Sequence, residues 1–410
     1  MKKTIALTAL AAASAGVFAQ SSSVTIYGIL DAGVSQVSGL RGGTRKDVVS
    51  GIMDGSRLGF KGNEDLGNGY RAIFTMEHRL ELDTGDIKNR PFSGSQLPDR
   101  LSNAALLGLN PALQAVVNSV DASIGSTLGV NLDGRFWDRQ VYVGLVTPVG
   151  AVLAGRQYTP AYEASANFDT LGTQSSLSAG QVAAIPAAID IRVSNAVSYR
   201  IQTGPFTASV MAAPGERSTT TGHFVGFMGL YKTEQFGVGL GYNSRENELG
   251  QKSLTSTSLG GSLVLGPGTV FVQVVQAKDE HPSGLSTLAA TLTPAVGAPT
   301  AGVVANAFIN GLKQDGQVGH VGYRFTTGPH IIYAAYSQLH DKLRDADTAS
   351  YGMAYTYSLS KRTALNAVAT HFNNKGLAQA APGQAGFLGG VTATAGTDSN
   401  SFAVGIRHSF

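Results

Sequence analysis

Imidazole serves both metal binding and general acid–base work, so the eight histidines are the first candidates for chemistry. They stand singly. No pair has the His-x3-His or His-Glu-x-x-His spacing that aims two ring nitrogens at one ion. His223, His281 and His340 could serve a Ser/His/acid set at a rim, but no serine has a nucleophile's sequence context. Without cysteine, a disulfide scaffold or a thiolate zinc site is impossible. The Gly237, Gly239, Gly241 run lacks the further spaced glycine and the following helix of a phosphate cradle, and reads as the small face of a strand. No acidic stretch has EF-hand spacing. The chain is therefore expected to be no enzyme and to carry no metal or cofactor. Its 30 basic residues form no block that could track nucleic-acid phosphates. What remains is electrostatics, and that depends on which elements hold the charges.

Those elements have a period of two. Val24, Ile26, Leu30 and Val34 share one parity, and Thr25, Tyr27 and Asp31 the other. Tyr70, Ala72, Phe74 and Met76 alternate with Arg71, Thr75, Glu77 and Arg79. Phe402, Val404, Ile406, His408 and Phe410 alternate with Ser401, Ala403, Gly405, Arg407 and Ser409. Successive strand side chains point to opposite faces, so each segment has an apolar face and a polar or small one. A soluble sandwich would alternate too. Three features favour a membrane barrel. Aromatic residues cluster at the ends of the apolar stripes (Tyr70, Tyr231, Tyr242, Tyr357, Phe410). Short links such as Gln202–Pro205, Gly266–Gly268 and Thr327–Pro329 alternate with long irregular ones. About sixteen segments of roughly 10 residues fit after residue 22, and only closure removes the edges of so long a sheet. The expected fold is all-β, a sixteen-stranded antiparallel up-and-down transmembrane barrel with short periplasmic turns and long extracellular loops. At that size an aqueous channel remains open.

Composition agrees. Glycine makes up 52 of 410 residues and only 14% of residues are charged, yet mean hydropathy is +0.04. Disorder and a bundle of apolar helices are both excluded. Lys2 and Lys3, the apolar stretch Ile5 to Val17 and the small residues around Val17-Phe18-Ala19 have the three parts of a secretory signal peptide, with cleavage expected after Ala19. Residues 20–410 then form one barrel domain. Strand one begins just beyond that cleavage point, which leaves no room for an autotransporter's passenger.

Several strings carry a family likeness: Val24-Thr-Ile-Tyr-Gly28, Ser56-Arg-Leu-Gly-Phe-Lys-Gly62, Glu64-Asp-Leu-Gly67, Arg139-Gln-Val-Tyr-Val-Gly-Leu145, Gly155-Arg-Gln157, Tyr357-Ser-Leu-Ser-Lys-Arg-Thr363 and Gly405-Ile-Arg-His-Ser-Phe410. In this order, over residues 22–410, they resemble the trimeric general-diffusion porins of Gram-negative outer membranes, in the β-proteobacterial branch. The resemblance implies a homotrimer among outer-membrane lipid and lipopolysaccharide. It also implies an inward-folded third loop and a C-terminal Phe410 read by the barrel assembly machinery.

On that basis the third loop spans 158–190 and carries Glu163, Asp169 and Asp190, flanked by Arg156 and Arg192. Arg57, Lys61, Arg71 and Arg79 offer basic groups from the strands. The expected constriction sets Arg57, Arg79 and Arg156 against Glu163 and Asp169, a transverse field that favours anions if bases prevail. Two insertions depart from the compact pattern. In 84–134, Leu106, Leu109, Leu113, Val116 and Val120 have helical spacing, with a helix interrupted or started afresh at Pro111. In 278–314, Val303–Leu312 reads as helical. Either insertion covers the mouth or braces a neighbouring subunit. The expected function is passive diffusion of ions and small hydrophilic solutes across the outer membrane; the alternative is a channel preferring one small anion or carboxylate.

Overall fold

A computed structural model of the chain describes residues 22–172, 175–182, 190–215, 222–383 and 389–410. The expected signal peptide, residues 1–19, lies outside the described residues. The strands are β1 (Ser22–Leu40), β2 (Gly43–Ser50), β3 (Arg57–Gly67), β4 (Tyr70–Arg79), β5 (Gln140–Thr147), β6 (Gly150–Tyr158), β7 (Arg192–Thr203), β8 (Phe206–Ala213), β9 (Phe224–Lys232), β10 (Phe236–Glu246), β11 (Lys252–Leu265), β12 (Gly268–Asp279), β13 (Gln314–Thr327), β14 (His330–Asp341), β15 (Thr348–Ser358), β16 (Thr363–Asn374), β17 (Ala380–Ala381), β18 (Gly390–Val391) and β19 (Ser399–Ser409). β17 and β18 form a separate two-stranded ribbon in the last loop. The other strands make one closed antiparallel barrel. β1 pairs with β19 from Ile29↔Ser409 to Val37↔Ser401, and with both β2 and β3 on its other edge. Because β2 and β3 are two pieces of one barrel strand, the seventeen strands of the sheet make a sixteen-stranded barrel.

Alternation does what it promised. Val24 is 66% exposed and Val143 61%, while Ser258 and Ser350 are fully buried on the inner face. Exposing so many Val, Leu and Ile side chains is favourable only in lipid, where the hydrophobic cost disappears. At the short-turn end Phe206, Tyr231 and Phe236 form a continuous aromatic row, with ring centroids 4.7 and 5.6 Å apart, as an interfacial girdle does. Two-residue turns close that end, as at Asn68-Gly69, where both residues take positive φ.

The helices belong to the long-loop end. They are α1 (Asp99–Ser102), α2 (Gln114–Ser126), α3 (Pro160–Phe168), α4 (Ala179–Val182), α5 (Leu288–Val296) and α6 (Ala298–Leu312). A 3-10 turn at Pro111–Leu113, capped by the Asn110 side chain, leads into α2, so this helix starts afresh at the proline. The two insertions pack on each other. Ala104, Leu109, Val117 and Val120 of the first join Leu292, Ala301, Val304 and Phe308 of the second in one buried apolar cluster. Gln96 and Asp99 bond the last loop at Thr392, Gln379 and Ala395. The insertions thus form a helical cap with its own core.

Candidate functional site

The third loop turns inward and lies against the barrel wall. Its α3 packs on β9–β12, and glycines make the seat. A Cβ at Gly260 would stand 2.5 Å from the Phe168 Cβ, and one at Gly241 would stand 2.7 Å from the Ala164 Cβ. The Gly237, Gly239, Gly241 run is therefore a berth for a helix. Polar pegs hold the loop beside it. The Ala161 N–H donates to Asn243 (3.1 Å), the Ser165 hydroxyl to Gln273 (2.9 Å), and Arg245 pairs with Asp190 (2.8 Å).

A second segment enters the lumen from the opposite side. Ala32 of β1 pairs with Ser50 and Ile29 with Arg57, so residues 51–56 leave the sheet between them. Asp31, fully buried, holds this excursion by accepting the backbone N–H groups of Ile52 (3.1 Å), Met53 (2.9 Å) and Asp54 (2.8 Å). Ile52 and Met53 then pack on Leu171 and Leu177 of the third loop. The loop is fastened at both ends, and its helix meets the wall of β3–β8 at Tyr158 and Arg200.

That wall is cationic. Arg139 donates to Glu77 through Nε and to the Tyr158 hydroxyl through Nη2 (2.9 Å). Arg192 reaches the same hydroxyl (2.9 Å) and lies 4.6 Å above the Tyr158 ring. Tyr158 stacks on Tyr162 of α3 at 5.2 Å. Tyr27 donates to Glu77 (3.1 Å) and lies under Lys61 at 5.4 Å. Arg57 is held by the Gly55 carbonyl (2.9 Å) and Asp54 (3.2 Å), and Asp54 also takes Arg407 (2.6 Å). Across the gap Glu163 of α3 pairs with Arg200. Beneath, a recess of about 510 Å³ is lined by Tyr158, Glu163, Arg200, Gln202 and Lys232 and opens toward the short-turn end.

The structure brings Arg57 and Glu163 of the expected constriction to this lumen and places the other three elsewhere. Arg79 is 2% exposed, buried beneath the second loop with Asp138 (2.9 Å) and Glu81 (3.4 Å). Asp169 is 1% exposed and folds its own loop, accepting from the Leu171 and Ala179 N–H groups (2.8 and 2.7 Å). Arg156 pairs with Val141 on the outward parity and donates to the Asp138 carbonyl and Ser194 hydroxyl. Its parity was readable, since Val152 and Arg156 are four residues apart on one strand. Arg200 was also legible, alternating with Tyr199 and Ile201. Arg139 was not, because it precedes its strand and its partner Glu77 is distant in sequence.

The family model of the Gram-negative porins matches residues 6–377. The chain belongs to that family. This porin is 26% identical over 426 residues to outer membrane porin protein 32 of Delftia acidovorans, with each chain covered in full. Among solved structures it resembles the anion-selective porin from Comamonas acidovorans, with a TM-score of 0.70 and 21% identity over 95% of this chain and all of that one. It also resembles the trimer form of OmpT of Vibrio cholerae, with a TM-score of 0.58 and 13% identity over 95% of this chain and all of that one. The porin is an outer-membrane channel, not an enzyme. Transport through it is governed by the width of the gap between loop and wall and by the fixed charges there.

Proposed function

We propose that this porin is a general-diffusion channel with a preference for anions, set by Arg57, Arg139, Arg192 and Arg200 of the wall against Glu163 of the third loop. The observation that carries this reading is the Arg139–Tyr158–Arg192 arrangement: two guanidinium groups converge on one hydroxyl, and among the described residues a single carboxylate, Glu77, pairs with them. Fixed positive potential in a narrow passage raises the local anion concentration and lowers that of cations. The Comamonas acidovorans porin of like fold is described as anion-selective, which supports the same sign here. In a planar bilayer under a tenfold KCl gradient, the reversal potential should carry the sign of chloride preference; cation preference would reject the reading.

The finer assignments rest on the same family. Export uses a signal peptide cut after Ala19, and three chains assemble among outer-membrane lipid and lipopolysaccharide; the trimer form of the Vibrio cholerae protein supports that assembly. Residues 20–410 mature as one domain. Phe410 is suited to recognition by the assembly machinery: it is 41% exposed, and its backbone exchanges both hydrogen bonds with Gly28 at 3.1 Å, the final closure of the barrel.

A further inference from the structure

Under the cap, on the long-loop side of the constriction, an enclosed cavity of about 70 Å³ separates the last loop and α1 from the inner faces of β12–β14. Its walls are mainly apolar, with Val275, Val318, Leu339, Leu377 and Val391 among them. Arg100 stands in this wall at 9% exposure. Its Nη1 donates to the Gly311 carbonyl near the end of α6, and its Nε and Nη2 have no partner among the described residues. Among the described residues no carboxylate lies within 4 Å of it, and Asp341 acts on it only at longer range. Asp341 is taken by Arg344 (3.5 Å) and by the N–H groups of Leu343 and Arg344. Asp315 leans to Lys342 (3.8 Å) and pairs across the sheet with Lys278, on the parity opposite Val318.

A buried guanidinium with no carboxylate in contact is costly, and an anion in the space it borders would offset that cost. We infer that this cavity binds a short-chain monocarboxylate, its two oxygens on Arg100 and its alkyl tail among Val275, Val318 and Leu339. Several observations converge on that class. Arg presents paired donors that match a carboxylate fork. Asp315 and Asp341 also line the cavity and would repel the second charge of a phosphate. The volume corresponds to roughly five water-sized units, which suits a chain of about three to five carbons. Burial and the neighbouring Arg344 push the Arg100 guanidinium down to about 10, which leaves it charged at neutral pH. The site is separate from the Arg57–Arg139–Arg192 row and does not depend on the anion preference of the channel.

The test is NMR titration of the detergent-solubilised full-length porin with carbon-13 butyrate, with acetate and butanol as comparisons. The intact protein should show saturable butyrate binding on the order of millimolar, as a ligand of about six heavy atoms allows. Acetate should bind more weakly and butanol should not saturate. Arg100→Gln should weaken butyrate binding at least about tenfold, the loss of a charge-assisted pair. Ala378→Leu, which fills the cavity from its side, should do the same and keeps the test decisive should Arg100→Gln misfold. Arg192→Gln, distant from this cavity, should leave butyrate affinity unchanged. No saturable binding, equal binding in Arg100→Gln, or loss in Arg192→Gln alone would each overturn the inference. The second of these would leave Arg100 as only a cap on the carbonyls of α6.

Discussion

Arg139 and Glu77 form one buried pair. The proposed anion preference gives that pair a second task, because charge in a poorly screening medium acts over a longer range. Arg192→Gln should move the reversal potential toward cations while leaving the folded protein intact, since Arg192 is only half-buried and forms no ion pair among the described residues. Arg139→Gln should also reduce stability, by roughly 3 kcal/mol or more, because Glu77 loses its only ion-pair partner. Reversal potentials and resistance of the folded band to heating separate the two effects. Glu81, outside the strands and 5% exposed, is pushed up to about 7 by burial, against the pull of Arg79. A carboxyl raised in the folded state binds its proton more tightly there than in the unfolded chain. Its contribution to stability is therefore largest below the ordinary carboxyl range and declines as pH rises through about 7. Hydrogen exchange of residues 81–89, corrected for intrinsic rate, should show more protection at pH 5 than at pH 8, and Glu81→Gln should flatten that difference.

Two elements define the opening, and each depends on a particular local arrangement. α3 is only nine residues long and cannot hold a position by its own helicity. It is held by the absence of side chains beneath it. Gly260→Ala should push Phe168 away, at about 1–3 kcal/mol, and change single-channel conductance. Adding Phe168→Ala should restore much of the conductance, a non-additive outcome that independent effects could not produce. The 51–56 excursion depends on Asp31 in the same way. Asp31→Ala removes three hydrogen bonds at once, each worth about 1–3 kcal/mol when its donor is left buried. The excursion should retreat, the contact of Ile52 and Met53 with the third loop should loosen, and conductance should rise. An unchanged conductance would mean that the segment does not limit the passage.

At the scale of the whole molecule, barrel and cap are separable. The barrel is held by a continuous ladder of backbone bonds, whereas the cap depends on the cluster around Val117 and Phe308. Val117→Asp places an unpaired carboxylate in that cluster, which it cannot tolerate. The insertions should become sensitive to protease while the barrel keeps its heat-modifiable band. Val120 and Leu292 of that cluster lie more than 150 residues apart in sequence, so no local pattern could announce their contact.

Alternation determined the strands and their inner and outer faces, because side-chain direction in a strand is a local property with a fixed period; the aromatic ends, the link lengths and the number of segments added the membrane setting. Helical spacing likewise announced α2 and α6 within the insertions. Which charges reach the lumen was settled only by the folded chain. Arg79, Arg57 and Glu77 share one inward parity, yet Asp138, 59 residues from Arg79, captures its side chain beneath the second loop. Asp169 is held by N–H groups of its own loop. Parity gives a side chain its direction, whereas its partner is chosen by whatever distant segment arrives beside it.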